Sequence, residues 1–380
     1  MNFNIPEETI ELKKTIRRFV DEILIPAERE VDEHDKVPDR IMAEMRRLGL
    51  FGMVIPADYD GLGLNCLATS VVLEELGRAH SAFRGVLITN NGIGAKAIIN
   101  RGTEEQKKKF LPKLASGEWI GAFALTEPEA GSDASAVKTT AEKKGDHYVL
   151  NGIKHFITNG PEAHVLTVMA MTDPDAGHKG MSAFVIETDT PGFRVQRIMK
   201  TMGPGGYHQG ELVFENCEIP AENIIGEPGQ GLKIALETLN HGRVVLGAAA
   251  VGLAQRLLDE TKAWANSRVQ FGRPIAKFQA IQFMLADMAV DIHLSRLAAY
   301  NAAWLVDQHQ DARFEASAAK LFSTEAVGRV ADKAVQIFGG MGYMQDLPIE
   351  RMYREARLLR IVEGTSEIQR IIISREILKT

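Results

Sequence analysis

Cysteine is nearly absent: the 380 residues hold only Cys66 and Cys217, far apart and in no metal-ligand spacing. That excludes a disulfide framework and a thiolate metal site, and two reduced thiols predict a cytoplasmic protein. No apolar run is long enough to cross a bilayer. The first residues show neither the apolar core of a secretion signal nor the Arg/Ser-rich, acid-poor pattern of a transit peptide. An excess of positive charge is missing too, with 44 Lys and Arg against 50 Asp and Glu, a net charge of −6. Nucleic-acid binders cluster Lys and Arg to meet phosphates, so that class is set aside. Arg46-Arg47 and Lys107-Lys108-Lys109 read instead as solvated helix faces. What is present, 45% apolar and 25% charged residues, makes a globular chain long enough for more than one domain.

Periodicity divides the chain in three. Leu12, Ile16, Phe19, Val20 and Ile23 recur at helical spacing until Pro26 interrupts them. Further helices are predicted over Ile41 to Leu50, Cys66 to Arg78 and Thr103 to Ser116, the last opening on a Thr103/Gln106 capping box. From about Trp119 the period becomes that of strands. Asn151-Gly152 sits between apolar runs and predicts a hairpin turn. His164 to Met171, Ser182 to Glu187 and Glu211 to Phe214 are further strand candidates. After Gly226 helices return, over Leu232 to Asn266, Phe278 to Gln308, Phe314 to Phe338 and Ile368 to Leu378, which suggests a four-helix bundle. The expected fold class is therefore α+β: a helical domain over 1–118, an antiparallel β domain over 119–227 and a helical bundle over 228–380.

The densest chemical signal lies near the end, in Arg360-Ile361-Val362-Glu363-Gly364-Thr365-Ser366-Glu367-Ile368-Gln369-Arg370. Ser366 and Gln369 have capping-box spacing before the apolar run Ile371, Ile372, Ile373, so Glu363 stands just outside a helix. Backbone N–H groups at such a place lack intrahelical partners. A base beside fixed donors is what abstraction of a proton alpha to a carbonyl requires. A second glycine pattern, Gly92-Ile93-Gly94-Ala95-Lys96-Ala97, fits a nicotinamide-binding fingerprint but lacks the β/α context and the following acid. These glycines read as loop and packing residues.

Two further segments, Ala124-Leu125-Thr126-Glu127-Pro128-Glu129-Ala130-Gly131-Ser132-Asp133 and Phe156-Ile157-Thr158-Asn159-Gly160, join Glu363 in a pattern that resembles the acyl-CoA dehydrogenase family. Arg268-Val269-Gln270-Phe271-Gly272 and Gln336-Ile337-Phe338-Gly339-Gly340 extend the resemblance along essentially the whole chain. It implies FAD, which would accept the hydride that no side chain can accept. On the β side Leu125, Thr126, Gly131, Ser132, Phe156, Ile157 and Thr158 would meet the flavin. Arg268, Phe271, Gln279, Gln336, Gly339 and Gly340, with Thr365 and Glu367, would complete its site, partly from a neighbouring subunit. A homo-oligomer, a tetramer in particular, is thus implied, as is electron transfer to an electron-transfer flavoprotein. Glu363 would be the base. Some members carry it on the earlier bundle helix, in the Leu239-Asn240-His241-Gly242-Arg243 segment, where the relevant position here is Gly242, which cannot serve. Ser132, Asn240, Arg243 and Gly364 would meet the acyl-CoA, although Asn240 stands where many members have Asp.

Substrate choice rests on Arg84, which lies where glutaryl-CoA dehydrogenases carry an arginine for the distal carboxylate. Val362 differs from the tyrosine of decarboxylating members, and Gly77 from their glutamate. The resemblance therefore leaves two substrates open: a plain short or medium acyl chain, or a dicarboxylyl thioester dehydrogenated without loss of carbon dioxide. It also leaves open whether the reaction runs as oxidation or as enoyl reduction.

Overall fold

The computed structural model describes residues 5–379. Among the described residues, seven helices occupy the first third: α1 (Glu7–Phe19), α2 (Glu28–His34), α3 (Asp39–Arg47), α4 (Cys66–Leu76), α5 (Ser81–Ile88), α6 (Lys96–Arg101) and α7 (Glu104–Ser116). Local chemistry accounts for their ends. Glu7 and Glu8 open α1 and Arg17 and Arg18 close it, each favourable to the helix dipole. Thr103 and Gln106 form the expected capping box at α7, which Gly117 ends at φ 71°. Gly92 and Gly94 lie not in a loop but in a π-helical turn, Thr89–Gly94. Gly94 is a packing residue there, since an added Cβ would fall 3.0 Å from the Gly121 carbonyl carbon.

Eight strands follow: β1 (Gly121–Ala124), β2 (Thr140–Lys144), β3 (His147–Thr158), β4 (Val165–Met171), β5 (Met181–Glu187), β6 (Phe193–Met199), β7 (Gln209–Pro220) and β8 (Ile224–Ile225). Their order is β6-β7-β3-β2-β4-β5-β8, with β1 against β4. The sheet is mixed where an antiparallel one was expected: β1 runs parallel to β4, and β2 meets β4 in parallel at Thr140. Side chains of β4 alternate between two cores. Val165, Met169 and Met171 join Phe110, Leu114 and Ile234 on one face, while Leu166, Val168 and Ala170 join Leu150, Phe184 and Phe214 on the other.

The predicted Asn151-Gly152 hairpin does not form, because β3 runs straight through both residues. The turn lies earlier, at Gly145 (φ 67°) and Asp146, between β2 and β3. Gly152 instead lets Thr139 pass close by: an added Cβ would lie 2.7 Å from the Thr139 Cα. Asn151 accepts the Asn216 N–H at 2.8 Å beside a register shift, so the pair marks a bulge.

The last third is helical apart from a two-strand hairpin, β9 (Val269–Gln270) with β10 (Arg273–Pro274). Helix α8 (Gly231–Ser267) packs along α4, α9 (Gln279–Asp307) and α10 (Arg313–Phe338). Short α11 (Gly340–Tyr343), then α12 (Ile349–Leu359) and α13 (Ser366–Ile377), complete the chain. Helix α12 was not anticipated, and its C-terminal end delivers Glu363.

Candidate active site

Helix α12 ends at Leu359, and the next residues turn sharply before α13. Glu363 takes φ 55° and Gly364 φ 92°, so both adopt a left-handed backbone. For a glutamate that conformation is unusual and must be held by its surroundings. The holding groups are clear. Gln369 Nε2 donates to the carbonyls of Glu363 and Gly364, at 3.2 and 2.9 Å. Lys320 Nζ donates to the Gly364 carbonyl at 2.8 Å, and Arg243 Nε reaches the Glu363 carbonyl at 3.4 Å. Thr365 rather than Ser366 caps α13, accepting the Ile368 N–H; the Ser366 hydroxyl donates to Glu325.

With its carbonyl so engaged, the Glu363 carboxylate points at α8. An added Cβ at Gly242 would overlap Glu363 Oε2 and lie 2.8 Å from its Cδ. Oε2 is sealed from solvent and has no hydrogen-bond partner among the described residues. Burial pushes this carboxyl up to about 7, against the opposing pull of Arg243 and Lys320. A carboxylate with such a value exchanges a proton readily near neutral pH. Asn240 accepts from Arg243, which fixes that guanidinium beside the loop. His241 is buried and held neutral, its value lowered to about 3 by burial and by Lys96.

The two β segments singled out in the sequence are brought together by a buried ion pair that sequence reasoning missed. Lys154, fully buried in β3, donates to Glu127 Oε1 at 2.7 Å and to the Leu125 carbonyl at 3.1 Å. Glu127 also accepts the N–H groups of Lys138 and Thr139, at 2.7 and 3.0 Å. The His155 N–H bonds the Thr126 carbonyl. The loop carrying Thr126, Gly131 and Ser132 is thereby fastened to the strand carrying Phe156 and Thr158. Phe156 is 60% exposed at φ 58°, an unusual posture for a large aromatic. The side chains of Leu125 and Ile157 face the core, leaving their backbones for any contact.

Other predicted residues lie elsewhere. Arg268, Phe271 and Gln279 are exposed around the β9–β10 hairpin, Phe271 at 92%, and Gln336, Gly339 and Gly340 are exposed where α10 ends. Nothing lies within 4 Å of a Cβ added at Gly339 or Gly340. Glu367 is exposed in the first turn of α13. Arg84 is deep in α5, only 4% exposed, and forms an ion pair with Glu355 of α12, itself 2% exposed. Next to it, Gly85 accommodates the ring of Tyr207, which an added Cβ would approach to 2.7 Å. Tyr207 and Glu355 carried no local sequence signal, because their partners are distant in the chain.

The N-terminal, middle and C-terminal domain descriptions of acyl-CoA dehydrogenases match residues 6–118, 122–217 and 229–378. This chain belongs to the acyl-CoA dehydrogenase family. The acryloyl-CoA reductase (NADH) of Anaerotignum propionicum is 42% identical, covering 100% of this chain and 96% of that one. A chain solved in work on the electron transferring flavoprotein of Acidaminococcus fermentans is 43% identical, with full coverage of both chains and a TM-score of 0.97. Butyryl-CoA dehydrogenase from Megasphaera elsdenii is 38% identical, again with full coverage of both, at a TM-score of 0.96. The protein is an FAD-dependent oxidoreductase of this family. Its residues suit that cofactor: an exposed aromatic and a threonine on β3, and bare glycine backbone at Gly131, Gly339 and Gly340 that leaves room for a large ligand.

Proposed function

We propose that the protein catalyses α,β-dehydrogenation of a short, uncharged acyl-CoA thioester, with Glu363 as the base. The supporting observation is Glu363 Oε2, buried without a hydrogen-bond partner among the described residues and lying against the bare backbone of Gly242, where burial pushes the carboxyl up to about 7. Glu363 takes the proton from Cα, and its own N–H polarises the thioester carbonyl, which acidifies that carbon. FAD, when bound, supplies the two-electron acceptor that the departing β-hydride needs. Phe156 and Thr158 offer area and a hydroxyl for the flavin, and Arg243 and Asn240 orient the thioester beside Glu363. An electron-transfer flavoprotein is the expected electron acceptor, a reading favoured by the Acidaminococcus relative. The buried free thiols of Cys66 and Cys217 accord with a cytoplasmic setting.

Arg84 favours the plain chain. Its charge is already answered by Glu355, so a substrate carboxylate would have to displace a buried partner, at a cost of several kcal/mol. The butyryl-CoA dehydrogenase relative supports a short chain. Anaerobic flavin bleaching is expected to be faster with butyryl-CoA than with glutaryl-CoA; the reverse order would restore the dicarboxylate. Glu363→Gln should keep bound FAD and lose roughly 10²–10⁴-fold in rate. Because the base must be ionised, kcat/KM of the wild type should rise with pH through about 7. Near-normal turnover by the variant would remove the assignment.

Reduction of an enoyl thioester is the second reading, favoured by the acryloyl-CoA reductase relative. It uses the same groups in reverse, Glu363 returning the proton to Cα. Initial rates in both directions with the physiological electron carrier decide between them.

A further inference from the structure

We infer that Lys320 is a positioning residue for the base, its ammonium pinning the Gly364 carbonyl so that Glu363 keeps its left-handed turn. This rests on Glu363 being the base. Lys320 sits on α10 among Ala316, Ser317, Ala319, Ser323 and Thr324, and none of its surface reaches solvent. A buried lysine is costly unless something requires it. The one hydrogen bond of its ammonium among the described residues goes to the Gly364 carbonyl at 2.8 Å, 44 residues along the chain. An aliphatic side chain would fill the same space without that cost, so packing alone does not explain an ammonium there.

What the ammonium does follows from the loop. Two successive residues with positive φ turn their carbonyls away from helical pairing, where each needs a donor. Gln369, also fully buried, supplies an amide to both carbonyls, and Lys320 supplies a second donor to Gly364. With both carbonyls fixed, rotation of the Glu363–Gly364 peptide is blocked. The carboxylate stays against Gly242, and the Glu363 N–H, which donates to no group among the described residues, stays free for a ligand carbonyl. One lysine thus orients both halves of the proposed chemistry.

Lys320 also acts through charge. Glu363 in the loop and Arg243 on α8 face it, with Glu325 on α10 itself and Glu367 on α13 farther round. Burial lowers the lysine to about 8, which leaves it mostly charged at neutral pH while it helps hold Glu363 down. Removing that charge must raise the carboxyl further above its ordinary range.

The test compares wild type, Lys320→Met and Glu363→Gln as FAD-loaded enzymes. Three quantities are measured: kcat and KM on butyryl-CoA, the pH profile, and exchange of Cα hydrogens with D2O after the flavin is reduced. For Lys320→Met we expect kcat and the exchange rate to fall about 10- to 100-fold with KM little changed, as for a base displaced by about 1 Å. The acidic limb of the profile should move to higher pH. Unchanged kcat, exchange and limb, with only a lower Tm, would reduce Lys320 to scaffold and overturn the inference. If Glu363→Gln itself remains active, the base assignment fails, a result separable from this one. Should Lys320→Met retain no flavin, Lys320→Gln, which keeps a donor and drops the charge, must still shift the limb upward; an unmoved limb overturns the inference.

Discussion

Gly242 and Glu363 share one small space. A helix interior normally disfavours glycine by about 1 kcal/mol relative to alanine. Here the missing methyl is what lets the carboxylate lie against α8, because any Cβ would overlap Oε2. Gly242→Ala should therefore act on chemistry more than on the fold. The gain in helix propensity and the overlap oppose each other in stability, whereas the displaced carboxylate has no compensation. We expect kcat to fall at least about tenfold with bound FAD retained, checked by steady-state kinetics beside the flavin spectrum. The remaining room at the site is small, so Gly242→Val should be worse.

At the scale of elements, the loop from Leu125 to Ser132 has no regular pairing along most of its length, yet it must present Thr126 and Ser132 steadily. Lys154 and Glu127 do this from below. Burial pushes Glu127 up, but the Lys154 charge with the N–H groups of Thr139 and Lys138 outweighs it, holding the carboxyl below its usual range. Breaking such a pair strands the other charge in the interior. Lys154→Met should cost about 3–5 kcal/mol of stability in denaturant unfolding and weaken flavin retention. A change below 1 kcal/mol would mean that water replaces the lysine.

The same scale explains what the sequence did and did not reveal. The Thr103/Gln106 cap and the long helices of the last third were readable because their causes lie within one or two turns of chain. Glu363 stood out because a glycine and a helix start adjoin it. Asn151-Gly152 misled, since a turn signature there serves the passage of Thr139 across the sheet, a neighbour that no local reading supplies. Lys154 and Lys320 were silent for a related reason. A buried lysine looks like any other lysine until its partners, Glu127 and the Gly364 carbonyl, are brought up by the fold.

For the whole molecule the length of α8 is decisive. Glu363 abuts it at Gly242, while Arg268 and Phe271 follow its far end, about 26 residues and roughly 39 Å further along the axis. The family resemblance would set the almost fully exposed Phe271 against a second copy, an expectation that a substitution can test. Phe271→Asp should lower the assembled mass in light scattering and release FAD in parallel. Retention of both would place the flavin within one subunit.

The Arg84–Glu355 pair joins the first helical segment to the last and carries a consequence for how this protein can change. Neither partner can be exchanged alone without stranding a buried charge, so single-step variation at this spot is closed off by instability before function is ever tried. Divergence here must take both residues together or pass through a rescuing third change.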